Sequence, residues 1–138
     1  MQEIRPERVV YAGSVRVICF PPSRHVRIVD RIFAWAFLEY AHIGVEADGV
    51  FYDFRRPGKS FIAWRPSMLY EQWRPSVSID LGGKLCYQYD VPKFNIFSFN
   101  CAHAVAYSLG LKPGRTCTPA WVVRKLEGCG YARRRFTL

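Results

Sequence analysis

The stretch F-N-C-A-H-A-V-A-Y-S-L-G, residues 99 to 110, sets Cys101 at the front of a short apolar run with helical character, directly after Asn100. A thiol at a helix start lies near unpaired backbone N–H groups and the positive end of the helix dipole, which favour thiolate over thiol. The thiolate is the nucleophilic form of cysteine. Acyl chemistry with it also needs a base, normally a histidine held by a third polar group. Of the three histidines in the chain, His42 is best placed: it opens a β-rich run that turns at Asp48-Gly49, and Asp53 follows on the return. A hairpin folded there makes 42 and 53 close to cross-strand neighbours, with Asp53 able to accept from the imidazole. Set against this stands a plainer possibility, a cysteine in a helix core, an exposed histidine and a solvated aspartate, and spacing alone does not decide between them.

The elements that would position these residues can be read along the chain. The run R-V-V-Y-A-G-S-V-R-V-I-C-F, residues 8 to 20, has β-branched alternation and ends at Pro21-Pro22, predicting a strand over about Ser14 to Phe20, with room for a shorter one before it and with Cys19 in the core. Residues 23 to 38 place Val26, Val29, Ile32, Phe33 and Ala36 at helical spacing, although their β-branched content suits a strand as well. His25, within that run, reads as a surface residue. The D-G pair at 48 and 49 predicts a tight hairpin, because such a turn needs positive φ at its centre. Residues 55 to 75 read as loop with one helical turn around Met68 to Trp73, and residues 76 to 91 as one or two strands about Gly82-Gly83. A helix from Cys101 ends at Gly110, and T-P-A-W-V-V-R-K-L-E-G, Thr118 to Gly128, reads as N-cap, proline at the first position, helix and glycine stop. The tail, with its three arginines, suits a final strand. The sum is an α+β arrangement.

At 138 residues the chain is expected to form one domain, 1–138, large enough to bury about 70% of its unfolded surface. Its uncharged apolar runs are far shorter than the roughly 20 residues that span a bilayer, so no transmembrane segment is expected. The start M-Q-E-I-R-P-E-R has charges of both signs and no apolar block, so no secretory signal is read and synthesis in the cytoplasm is expected. The five cysteines, at 19, 86, 101, 117 and 129, form no C-x-x-C pair, which speaks against zinc, and the expected compartment speaks against a disulfide framework. Most of them should be small buried hydrophobes. A net charge of +9, with arginines grouped at 24, 27 and 31, at 55 and 56, and at 133 to 135, suits attraction to a polyanion or simply a solvated basic surface.

The run H-I-G-V-E-A-D-G-V-F-Y-D, His42 to Asp53, resembles the His-bearing hairpin of the NlpC-like papain-fold superfamily. The run F-N-C-A-H-A-V-A-Y is similar to the N-C-x-H nucleophile helix of its circularly permuted branch, which includes lecithin:retinol acyltransferase-like proteins. In that branch the histidine strand precedes the cysteine helix, as here. T-P-A-W-V-V looks like the helix start that often follows the nucleophile helix there, and Ser14 to Phe20 matches the strand before the histidine. Two departures stand out: Asp53 where His, Asn or Gln is common, and Ala104 where Phe is frequent. The resemblance implies an antiparallel sheet packed against the nucleophile helix, with Cys101 as nucleophile, His42 as base and Asp53 as orienting residue. It makes His103 the second histidine of the motif, pointing away from the thiol in a structural role. Asn100 would cap the helix or help hold the site, and the Cys101 backbone N–H would serve an oxyanion hole.

The reaction so implied is acyl transfer without a metal or organic cofactor. Its first expected form is a peptidoglycan endopeptidase or amidase of bacterial or phage origin, virion-associated and delivered by a tail tip or another complex, with the basic charge suited to wall polymers. A lipid acyltransferase or thioesterase comes second. From another class comes a non-catalytic tail-hub, assembly or inhibitor protein that keeps the fold. Nucleic-acid binding, suggested by the arginines with Trp35, Trp64 and Trp73, has no accompanying motif and is not expected.

Overall fold

A computed structural model describes residues 6–21, 40–53, 74–89 and 100–137. The ambiguous segment 23 to 38 with His25, the three tryptophans named above and nearly all of the expected loop 55 to 75 lie outside them. The described residues form a mixed α+β unit of five strands and two helices: β1 (Pro6–Phe20), β2 (His42–Ala47), β3 (Val50–Asp53), β4 (Val77–Tyr89), α1 (Cys101–Ser108), α2 (Pro119–Gly128) and β5 (Arg133–Arg135). The strands make one sheet in the order β3-β2-β1-β4-β5, with every neighbouring pair antiparallel. No helix among the described residues is long and apolar enough to cross a membrane.

Strand β1 is the spine of the sheet and longer than the sequence suggests, because residues 6 to 12 also pair with β4 instead of forming a separate strand. Register shifts between Ala12 and Arg16 set Gly13-Ser14 against Gly83 and pass over Leu81, on either side of Gly82, which pairs with Val15 and takes φ 67°. The Gly82-Gly83 pair therefore bends one continuous strand and does not separate two, a common use of a positive-φ glycine in a ladder. Tyr11 Oη occupies the place that a Cβ on Gly83 would take, so a side chain there would have to push the exposed Tyr11 ring aside.

Alternation along β1 divides the apolar residues between two faces. Val15, Val17 and Cys19 join Ile43 and Val45 of β2, Ile79 of β4 and the helix residues Ala102, Val105, Val122 and Leu126 in the main core. Ile18 and Phe20 point the other way and pack with Phe51, and Phe136 rests against them. The run V-R-V-I-C-F reads as a nearly unbroken apolar block because both faces are buried. Cys19, Cys86 and Cys117 are buried as expected, whereas Cys129 is exposed.

Both helices end in the same left-handed motif. Gly110 (φ 76°) donates to the Tyr107 carbonyl and Leu111 to that of Ala106; Gly130 (φ 98°) donates to Glu127 and Tyr131 to Leu126. These are the two bonds of a Schellman stop. The expected stop at Gly128 is thus corrected to Gly130: Gly128 is the last helical residue, and Gly130 supplies the positive φ. At the start of α2, Thr118 caps the helix by accepting from the Trp121 N–H at 3.1 Å, with Pro119 at the first position, as the sequence indicates.

Candidate active site

The hairpin β2–β3 turns through Asp48 (φ 50°) and Gly49 (φ 83°), the double positive φ that a two-residue turn of this hand requires. Asp48 also holds the turn to the spine. Its N–H donates to the Ser14 carbonyl at 2.8 Å and its carboxylate accepts from the Ser14 N–H at 3.0 Å. With the turn fixed, the register follows: Ala47 faces Val50, Val45 faces Tyr52 and Gly44 faces Asp53. His42 lies two residues beyond Gly44 and is therefore the diagonal neighbour of Asp53, on the same face. The two side chains span that diagonal, with His42 Nε2 2.9 Å from Asp53 Oδ2 and both side chains almost wholly buried.

Gly44, directly opposite Asp53, has no room for a side chain. A Cβ there would collide with the tip of the Phe51 ring and lie 2.8 Å from the Tyr52 carbonyl oxygen. The Phe51 ring thus occupies the space over Gly44, meets Phe20 edge-on with centroids 5.7 Å apart, and so builds the wall against which His42 rests, its ring 5.6 Å from that of Phe20. The motif reading in sequence does not supply this requirement, although the glycine two positions after the histidine carries its signal.

Cys101 is the first residue of α1 and is buried. Its side chain hydrogen-bonds the His42 imidazole. Nε2 of the same ring faces Asp53. Burial by itself would depress the basicity of His42, but the charge of Cys101, the hydrogen bonds from Asp53 and Cys101, and the Asp53 charge outweigh it, raising the pKa from 6.5 to about 9. The Asp53 carboxylate and the Cys101 side chain thus both favour the protonated form of the ring.

The helix start is built by Asn100 and His103. Asn100 Oδ1 accepts from the N–H groups of Ala102 at 2.8 Å and His103 at 3.2 Å, and His103 Nδ1 accepts from the Asn100 N–H at 3.2 Å. This is a capping box with histidine in the position usually held by Glu or Gln. The same two side chains reach the α1–α2 loop. Asn100 Nδ2 donates to the Cys117 carbonyl at 2.9 Å, and His103 Nε2 donates to that of Arg115 at 3.1 Å. With Nδ1 accepting and Nε2 donating, His103 is neutral. Burial holds its pKa below 6.5, partly opposed by the carbonyls of Arg115 and Gly114. The cap does not use the Cys101 N–H. Burial, and secondarily the charge of Cys101, pushes the Cys117 thiol up to about 12, so Cys117 stays protonated beside the site.

All five residues singled out in the sequence thus meet in two connected groups, Cys101–His42–Asp53 and Asn100–His103. The anchoring of the 112–118 loop by Asn100 and His103 has no sequence signal, since backbone carbonyls leave no mark there. Among the described residues there is no cluster of His, Cys, Asp and Glu arranged to hold a metal ion. Compared with models of protein families, with curated proteins and with solved structures, the chain gives no match.

Proposed function

We propose that the chain is a cysteine-dependent amide hydrolase of the circularly permuted NlpC-like papain fold, working through Cys101, His42 and Asp53. The observation that carries this reading is the position of His42, whose Nε2 meets Asp53 and whose ring also interacts with the Cys101 side chain, two neighbours that favour the protonated ring against the opposing effect of burial. A protonated imidazole beside a thiol group stabilises the thiolate. The thiolate attacks the carbonyl carbon, and the electron pair moves to the carbonyl oxygen, to which the Cys101 N–H donates at the helix start. His42 gives a ring proton to the departing amine as the C–N bond breaks, leaving a thioester. A water molecule then loses a proton to the His42 ring, attacks the thioester, and releases the acid and the thiolate. Asp53 holds the ring in the orientation and tautomer that both halves need.

The substrate class we favour is the peptide part of peptidoglycan, with a phage tail or similar complex as the means of delivery. The net charge of +9 supports that choice, because it would concentrate the protein on an anionic wall polymer. Incubation with purified sacculi tests it. Wild-type protein should release new amino groups or carboxylates from the stem peptides, and Cys101→Ala should release none. A wild-type protein that leaves sacculi intact and binds them no better at low salt would remove the wall as substrate.

A further inference from the structure

The charge of this chain is unevenly placed. From residue 100 onward there are seven Lys and Arg residues against the single acid Glu127, so this stretch holds six of the nine net charges and also the thiol. Glu127 is committed to Arg133, whose Nη2 lies 2.9 Å from its Oε1. Arg124 and Lys125 belong to α2, and Arg134 and Arg135 to β5. Lys112 and Arg115 differ from these in being on the α1–α2 loop, and both are exposed. The ion pairs among the described residues involve neither of them.

That loop is fastened to the start of α1. The Arg115 and Cys117 carbonyls accept from His103 and Asn100, the residues on either side of the Cys101-Ala102 pair. Two bonds from the first helical turn thus fix the backbone that bears Arg115 beside the backbone that bears the thiol. His103 makes its bond as a neutral ring, so the fastening adds no charge of its own. Positive charge on the loop is therefore tethered to the helix turn that carries Cys101, and charge at a protein surface is felt through about 10 Å of salt solution.

We infer that the loop carrying Lys112 and Arg115 is a specificity element of the Cys101 site, selecting acyl substrates that bear a negative charge close to the scissile carbonyl. The inference rests on the proposed thiol chemistry and adds the charge class of its substrate. Opposite charges several ångströms apart near a protein surface attract each other modestly, and two cations acting together amount to a preference of about threefold to sixfold. The preference acts on substrate capture and so should appear in KM more than in kcat.

Two reagents of the same size test this without knowledge of the natural substrate: iodoacetate, an anion, and iodoacetamide, which is neutral. The ratio of their labelling rates at Cys101 should fall about threefold to sixfold from wild type to Lys112→Gln/Arg115→Gln. It should fall in wild type also when salt is raised. The corresponding α2 variant, Arg124→Gln/Lys125→Gln, removes the same net charge and should change the ratio far less. An unchanged ratio in the loop variant, with both reagents still labelling Cys101 quickly, would overturn the loop's role and leave the thiol chemistry standing. Equal falls in the two double variants would also overturn it, showing a general effect of net charge. If neither reagent labels Cys101 faster than the exposed Cys129, the thiol chemistry itself fails and the inference falls with it.

Discussion

His42 and Asp53 are diagonal neighbours across the β2–β3 hairpin, and their bond of 2.9 Å passes beside Gly44, the residue directly opposite Asp53. The pairing of imidazole and carboxylate therefore sits next to a position with no side chain. Gly44→Ala should drive Phe51 and the Tyr52 carbonyl away from the new methyl group, at a cost of about 1–3 kcal/mol in denaturant unfolding. Labelling of Cys101 should slow in the same variant, because Asp53 is carried on the displaced strand. Adding Phe51→Leu should recover only part of the stability, since the carbonyl clash remains.

The two buried histidines titrate in opposite senses, which predicts a maximum in stability against pH. His103 has a pKa below 6.5 in the fold, so the unfolded chain binds its proton more readily and stability is lost as pH falls through 6.5. His42 is raised to about 9, so its contribution is complete below 6.5 and is lost as pH climbs from 6.5 through 9. Thermal unfolding of wild type should show both limbs. In His42→Gln the alkaline decline between pH 6.5 and 9 should flatten while the acid limb persists; an unaltered alkaline limb would refute the assignment to His42.

Much of this site is legible in the sequence, and the reasons differ by residue. Asp48-Gly49 announces its turn because few residues tolerate positive φ twice in succession, and once the turn is known the period of two fixes which residues of β2 and β3 share a face. Thr118-Pro119 and Asn100 announce helix starts through their side-chain chemistry. His103 is harder: its structural role comes only from the family resemblance, because its two partners, the Asn100 N–H and the Arg115 carbonyl, are backbone groups that leave no mark in the sequence. The length of β1 and β4 is hidden for another reason: Gly13, Gly82 and Gly83 resemble strand ends but accommodate register shifts inside one long pairing. The end of α2 falls two residues beyond its expected place because Gly128 and Gly130 are equal candidates in the sequence, and only the backbone shows which has positive φ.

Asn100 has two separable duties, and two substitutions should divide them. Asn100→Asp keeps an oxygen for the Ala102 and His103 N–H groups but loses the Nδ2 donor to the Cys117 carbonyl. Asn100→Ala loses both and should cost about 1–2 kcal/mol from the cap alone, with the unpaired carbonyl adding to it. Chemical denaturation should rank wild type above the aspartate variant and that above the alanine variant. Labelling of Cys101 should slow in the same order.

In the proposed mechanism Cys101 is the reactive cysteine of the chain because His42 stands beside it. Labelling of each cysteine by iodoacetamide against pH, read by mass spectrometry, measures this directly and carries its own standards. Cys129 is an exposed thiol, and Cys19, Cys86 and Cys117 are buried ones. At about pH 6.5, where an ordinary thiol is almost wholly protonated, Cys101 should outpace Cys129 in wild type despite being only 7% exposed, and His42→Ala should abolish that lead. If Cys129 reacts first and Cys101 reacts as slowly as Cys19, Cys86 and Cys117, with no response to His42→Ala, then Cys101 is a packing residue and the hydrolase reading is wrong.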